Sequence, residues 1–168
     1  MVISTPTSLT YANLEHLEQK SALILTGKVI ERKTQPFMGG ENNQVMIDAI
    51  TKSTVEISHI FRNDSKSQYA IGDKISVFEP AGIVQRGLRK TYFSTDGYQL
   101  MEDGGLYLLF LSEGVEEGDW VVNSFQGKFR FDQLDPTEDN FFGGNDKEKY
   151  HFLRKEVFAK YKNLQPSK

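Results

Sequence analysis

The sequence has no cysteine, a single tryptophan and five prolines in 168 residues. Without cysteine there is no thiol nucleophile, no zinc–thiolate site and no disulfide framework, and nothing to show which redox compartment the chain occupies. There is no excess of basic charge either. Lys and Arg number 20 against 23 Asp and Glu, for a net charge of −3, so no general electrostatic attraction to a polyanion follows and nucleic acid is disfavoured as a partner. Long apolar stretches are also missing. The most apolar run, "LYLLFL" at 106–111, is far short of the roughly 20 residues that span a bilayer, and no transmembrane segment is expected. The first residues, "MVISTPTSLTYANLEHL", show no basic n-region, no apolar core and no small-residue cleavage site, so they do not read as an export signal; a chain trimmed of its signal would read the same.

At 38% hydrophobic, 26% charged and 12% aromatic, the sequence is that of a chain with a real core. One domain over residues 1–168 is the expectation. The run 106–111 sits between glycines, which favours a strand buried on both faces. Leu106, Leu108 and Phe110 are expected to face the interior. Tyr107, Leu109 and Leu111 are expected under a terminal helix or a hairpin.

Around that strand the pattern reads helix, five main strands plus a hairpin, helix. A short N-terminal helix is expected over 8–21, with Thr10 as its cap and Leu14 and Leu17 on one face. A strand follows in "ALILTGKVIERKT", with Gly27 as a bend or bulge. In "QVMIDAITKSTVEISHIF" the alternation of Val45, Ile47 and Ala49 stays in phase with Val55 and Ile57, which leaves one long strand and a hairpin both open. "KISVFEPAG" gives a third strand and "TDG" at 95–97 a hairpin turn between two aromatic-bearing segments. "WVVNSFQGKFRFD" gives the last strand, with Trp120 as a core filler and Gly127 as a further bend. Residues 133–145 read as a polar, glycine-rich connection. Over 146–164 an amphipathic helix sets Tyr150, Leu153, Val157, Tyr161 and Leu164 on one face, with Asn145 and Glu148 placed for a capping box.

The expected fold is therefore all-β with flanking helices, a five-stranded OB-type Greek-key barrel over 22–132. The segments "ALILTGKVIE", "IGDKISVFEPAG", "GGLYLLFL" and "FQGKFRFD", in that order, resemble a group of uncharacterised Gram-positive bacterial proteins, mostly exported or lipid-anchored. These are built on the barrel of the tissue inhibitors of metalloproteinases (TIMP-like). The resemblance covers Leu14 to Asp132 and implies that barrel and a location outside the membrane, extracellular or anchored on its outer face. It implies no activity. The inhibitors chelate zinc through an N-terminal cysteine, and this chain begins with Met1 and has none.

Candidate chemistry is sparse. His16, His59 and His151 do not recur at metal-ligand spacing, no Gly-x-Ser-x-Gly elbow occurs, and neither a metal site nor a cofactor is expected. Asp132, Asp135, Glu138, Asp139 and Asp146 lack the alternation of a calcium loop and read as a solvated acidic connection. Two surfaces stand out. Phe37 and Met38 in "QPFMGGENN", echoed by Phe141 and Phe142 in "NFFGGND", either tuck onto the barrel or form a contact patch, in which case all four should lie together and be more than half exposed. "QRGLRK" gathers Arg86, Arg89 and Lys90 beside Tyr92 and Phe93, the mixture that single-strand binders use, or else a charged hairpin edge. The first reading of the whole is a noncatalytic extracytoplasmic binding domain for a protein or glycan of the cell envelope. The alternatives are a cytoplasmic OB protein that binds single-stranded nucleic acid and a hydrolase with a site assembled from loops.

Overall fold

The computed structural model of the chain describes residues 13–43, 45–94, 98–123, 127–132 and 145–164. It is predominantly β, with one helix at each end: α1 (Leu14–Gln19), β1 (Leu23–Gly39), β2 (Val45–Asn63), β3 (Lys74–Glu79), β4 (Ala81–Arg86), β5 (Arg89–Ser94), β6 (Leu106–Glu113), β7 (Asp119–Val122), β8 (Lys128–Arg130) and α2 (Asn145–Leu164). The larger sheet runs β1-β2-β3-β7-β6-β8, and β1 also pairs with β6. All of its pairings are antiparallel except β3 with β7.

The helix α1 is shorter than the expected 8–21, and Asn13 caps it in place of Thr10. Asn13 is extended (φ −139°), and its side chain accepts the His16 amide at 2.9 Å, which satisfies a donor that the first turn leaves open. Leu14 and Leu17 are buried together as their spacing requires.

In β1 the apolar half, Leu23 to Val29, pairs on one edge with β2 and on the other with β6 as far as Lys28. The register shifts between Thr26 and Gly27, as the glycine suggested. A β-carbon on Gly27 would stand 2.3 Å from Val55 Cγ1, so no larger residue fits this approach of the two strands. Of the two readings left open for 45–63, one long strand is formed. The segment "TKST" pairs with β1 on one side and with β3 on the other, and it contains no Gly, Pro, Asn or Asp to turn the chain.

Three expectations need correction. The hairpin is formed by β4 and β5 and turns at Gly87 and Leu88, where Arg86 pairs with Arg89 and Gly87 supplies the positive φ (59°) that a two-residue turn demands; residues 95–97, where the turn was expected, lie outside the described residues, and 98–101, expected as the strand after it, is not a strand. The last strand is broken in two. Both pieces run along one edge of β6, β7 against Leu111–Glu113 and β8 against Tyr107–Leu109, and between them the Gly127 amide returns to the Asn123 carbonyl at 3.2 Å.

The third correction concerns the faces of β6. Tyr107 to Leu111 are all buried, so burial is two-sided, but the helix covers the face expected to be interior. The Phe110 ring meets Tyr161 of α2 edge-on at 5.6 Å and Phe129 at 6.0 Å, while Phe129 stacks on Tyr150 of α2. Leu108 lies opposite Phe129 and shares that face. Tyr107, Leu109 and Leu111 therefore point the other way, among core residues such as Val29, Val55 and Val77. Tyr150, Leu153, Val157 and Tyr161 are buried as predicted, whereas the side chains of Asn145 and Leu164 lie outside the described residues.

Candidate functional site

Strand alternation determines what the sheet presents on each side. In β3 the parity that buries Ile75 and Val77 also buries Glu79, a carboxylate at 1% exposure. Its Oε1 accepts from the Tyr98 hydroxyl at 2.7 Å and from the Met101 amide at 2.9 Å, and its Oε2 from Ser53 Oγ at 2.6 Å. Burial, together with the neighbouring Glu79, pushes the Tyr98 phenol well above its ordinary range. Further donors hold the same loop. Arg32 donates to the Met101 carbonyl at 2.6 Å, Tyr92 and Ser94 donate to the Tyr98 carbonyl, and Lys128 donates to the Gln99 carbonyl.

This cluster pins the segment 98–101 across one end of the sheet. Sequence reasoning missed it, although the i, i+2 spacing of Ile75, Val77 and Glu79 carried the signal. Chemically it is a structural lock, because both Glu79 oxygens are already engaged by protein donors.

The predicted surface residues lie elsewhere. Phe37 and Met38 belong to the end of β1 rather than to a loop, and the chain turns only after Gly39, through Gly40 (φ 78°) and Asn42 (φ 59°). Phe37 is 40% exposed and Met38 is partly covered, so neither reaches one-half. Phe141 and Phe142 lie outside the described residues.

Phe37 faces outward opposite Asp48, and Ile50 follows on the same face of β2. Beyond Ile50 that face continues through Lys52, whose ammonium lies 6.0 Å above the Phe78 ring, to Phe78 and Val121. Ile50, Phe78, Glu79, Pro80, Val121 and Val122 line an open cleft of about 210 Å³ on this face. Apolar residues from four strands, Phe37 of β1, Ile50 of β2, Phe78 of β3 and Val121 of β7, thus share this face with the exposed charges Asp48 and Lys52, in a line that begins beside the β1–β2 turn.

Arg86, Arg89 and Lys90 stand exposed around the β4–β5 turn. The aromatic company expected for them is absent from the surface. Phe93 is buried, and Tyr92 turns inward, its hydroxyl donating to the Tyr98 carbonyl and accepting from the Leu100 amide. Burial is the main reason that its phenol is pushed up to about 12.

A second cleft, of about 310 Å³, lies between Ser65–Ser67 and the turn Glu113–Trp120. Trp120 is buried at its base and donates to the Tyr69 hydroxyl at 3.0 Å, the filler role expected of it. Among the described residues no group of three or more His, Asp or Glu side chains could hold a metal ion, and no helix is long and apolar enough to cross a membrane. No family model matches the chain, and no curated protein proves similar to it.

Proposed function

We propose that this chain is a noncatalytic binding domain, built as a five-stranded OB-type barrel, that takes a protein segment on the outer face of β1, β2, β3 and β7. One observation carries the reading. With β8 set aside as an addition to the edge of β6, the neighbour order β1-β2-β3-β7-β6, with β6 back on β1 and only β3–β7 parallel, supports an OB-type barrel, and the apolar residues Phe37, Ile50, Phe78 and Val121 lie on the part of such a barrel's surface on which ligands are seated.

A protein partner is favoured over a glycan by the lining of the cleft. Sugar hydroxyls need polar side chains, whereas Ile50, Phe78, Pro80, Val121 and Val122 offer apolar contact, and the oxygens of the adjoining Glu79 are occupied. The resemblance to exported Gram-positive proteins supports a location outside the membrane, free or held at its outer face.

The test is cross-linked capture from cell envelopes by the full chain and by Phe37→Ser and Ile50→Ser variants of equal thermal stability. The reading expects a partner that is lost with both variants. Equal capture by all three proteins retires the surface, fractionation of the protein with the cytoplasm retires the location, and salt-sensitive binding of oligonucleotides would favour the nucleic-acid alternative.

A further inference from the structure

The β4–β5 hairpin has a feature that the partner-binding reading does not use and does not need. At its tip stands Leu88, fully exposed, in a two-residue turn where glycine, asparagine or aspartate is the usual occupant. A β-carbon added to the neighbouring Gly87 would meet nothing within 4 Å, so the tip projects into open space. Three exposed cations surround it, Arg86, Arg89 and Lys90, and no acidic residue occurs anywhere from Pro80 to Ser94 in a chain whose net charge is −3.

The base of the hairpin is fixed. The Ala81 carbonyl accepts from Thr51 Oγ1 at 2.7 Å, a β-carbon on Gly82 would lie 2.6 Å from Thr34 Cγ2 and 2.7 Å from Ala49 Cβ, and Tyr92 is tied to the segment 98–100. At the tip, Gln85 Nε2 donates to the Gly87 carbonyl at 3.1 Å and braces the turn. A braced stalk therefore holds one aliphatic side chain at its apex inside a ring of positive charge.

From this geometry we infer that the hairpin tip is a contact for an anionic lipid surface, with Leu88 entering the headgroup–acyl boundary and Arg86, Arg89 and Lys90 resting at the level of the phosphates. Long basic side chains suit that position, because their stems lie along apolar surface while their charges stay among the headgroups. Nucleic acid would use the same cations, but its bases need exposed aromatic faces to stack on, and Tyr92 and Phe93 are turned inward. The apical group is aliphatic, which serves insertion and not stacking. One leucine and three charges make a weak, reversible contact, comparable to a single acyl chain, so the tip orients the domain at a surface rather than anchoring it.

The test is co-sedimentation of the full chain with vesicles of phosphatidylcholine alone and of phosphatidylcholine mixed with phosphatidylserine. Binding is expected to the mixed vesicles only and to weaken with salt. Replacing Arg86, Arg89 and Lys90 together by glutamine should lower it about a hundredfold, at about fivefold per charge near the surface. Leu88→Ser should lower it about tenfold, with an unchanged thermal midpoint. A Leu88→Trp variant should show an emission shift to the blue on binding that buried Trp120 does not give. Absence of binding to the mixed vesicles overturns the inference. So does binding indifferent to Leu88→Ser, which would describe a merely electrostatic patch, or binding of single-stranded DNA with none of vesicles.

Discussion

The two halves of β1 belong to one continuous strand and live in different surroundings. From Leu23 to Val29 nearly every residue is buried, with β2 on one edge, β6 on the other and core or helix over both faces. From Ile30 to Gly39 the partner is β2 alone, and most side chains are exposed. Composition follows this change of company, from "LILTGKV" to "IERKTQPFMG". The difference separates two tasks along one strand. The doubly flanked half and its neighbours hold the fold together, and the singly flanked half carries the surface proposed to meet a partner.

The sharpest way to break this comparison is Phe110→Ala. Phe110 touches both Phe129 and Tyr161, and its loss should cost about 3–5 kcal/mol, read from denaturant midpoints. A cost below about 1 kcal/mol would mean that the flanked half is no more important than the open one.

Next comes Glu79→Ala, which takes away the shared acceptor of the Tyr98 hydroxyl, the Met101 amide and the Ser53 hydroxyl. It should cost about 1–3 kcal/mol and speed hydrogen exchange at the Met101 amide, which loses its acceptor. Unchanged exchange would show that the 98–101 segment is held without Glu79.

Tyr161→Phe has a smaller effect at neutral pH, about 1 kcal/mol, because it removes one donor to Glu18. Its stronger signature is alkaline. Burial first, then Glu18, raises the folded Tyr161 phenol above its ordinary value, and Tyr92 is raised to about 12. Groups raised in the fold stabilise it fully below the unfolded value near pH 10, and that contribution is lost as pH climbs through the folded values. Stability should therefore fall from about pH 10 towards 12, less steeply in the Tyr161→Phe protein. A flat profile there would contradict the burial assigned to both rings. The smallest effect belongs to the open half of β1, where Phe37→Ser should move stability by no more than about 0.5 kcal/mol in thermal scans.

How much of this was legible in the sequence varied with the kind of signal. The buried face of α2 follows from spacing alone, since Tyr150, Leu153, Val157 and Tyr161 recur at intervals of three and four. The strand at 106–111 was legible, but its orientation was not: when both faces are apolar, alternation no longer distinguishes inside from outside. The hairpin turn was missed because "GL" carries only half of the usual turn chemistry, and "TDG" nearby carries more of it. The polar cluster around Glu79 was missed because its other members come from two distant segments, Ser53 from β2 and Tyr98 and Met101 from 98–101, that only the folded sheet brings together. The contact patch was half legible. Phe37 stands where an outward strand position puts it, and its proposed companions Phe141 and Phe142 lie outside the described residues.

The pairing of β6 with β1 bears on how fast the molecule forms. β1 and β2 follow one another through a tight turn at Gly40 and Asn42 and can zip locally, but Leu23 meets Leu111 only after most of the intervening chain has been ordered, and the parallel contact of β3 with β7 needs a similar long excursion. Pairings between distant segments are slow because loop entropy is lost before contact energy is gained. Refolding is expected on the millisecond-to-second scale typical of such β topologies. The C-terminal helix should dock late, because its seat, Phe110 with Phe129, does not exist until β6 and β8 have met.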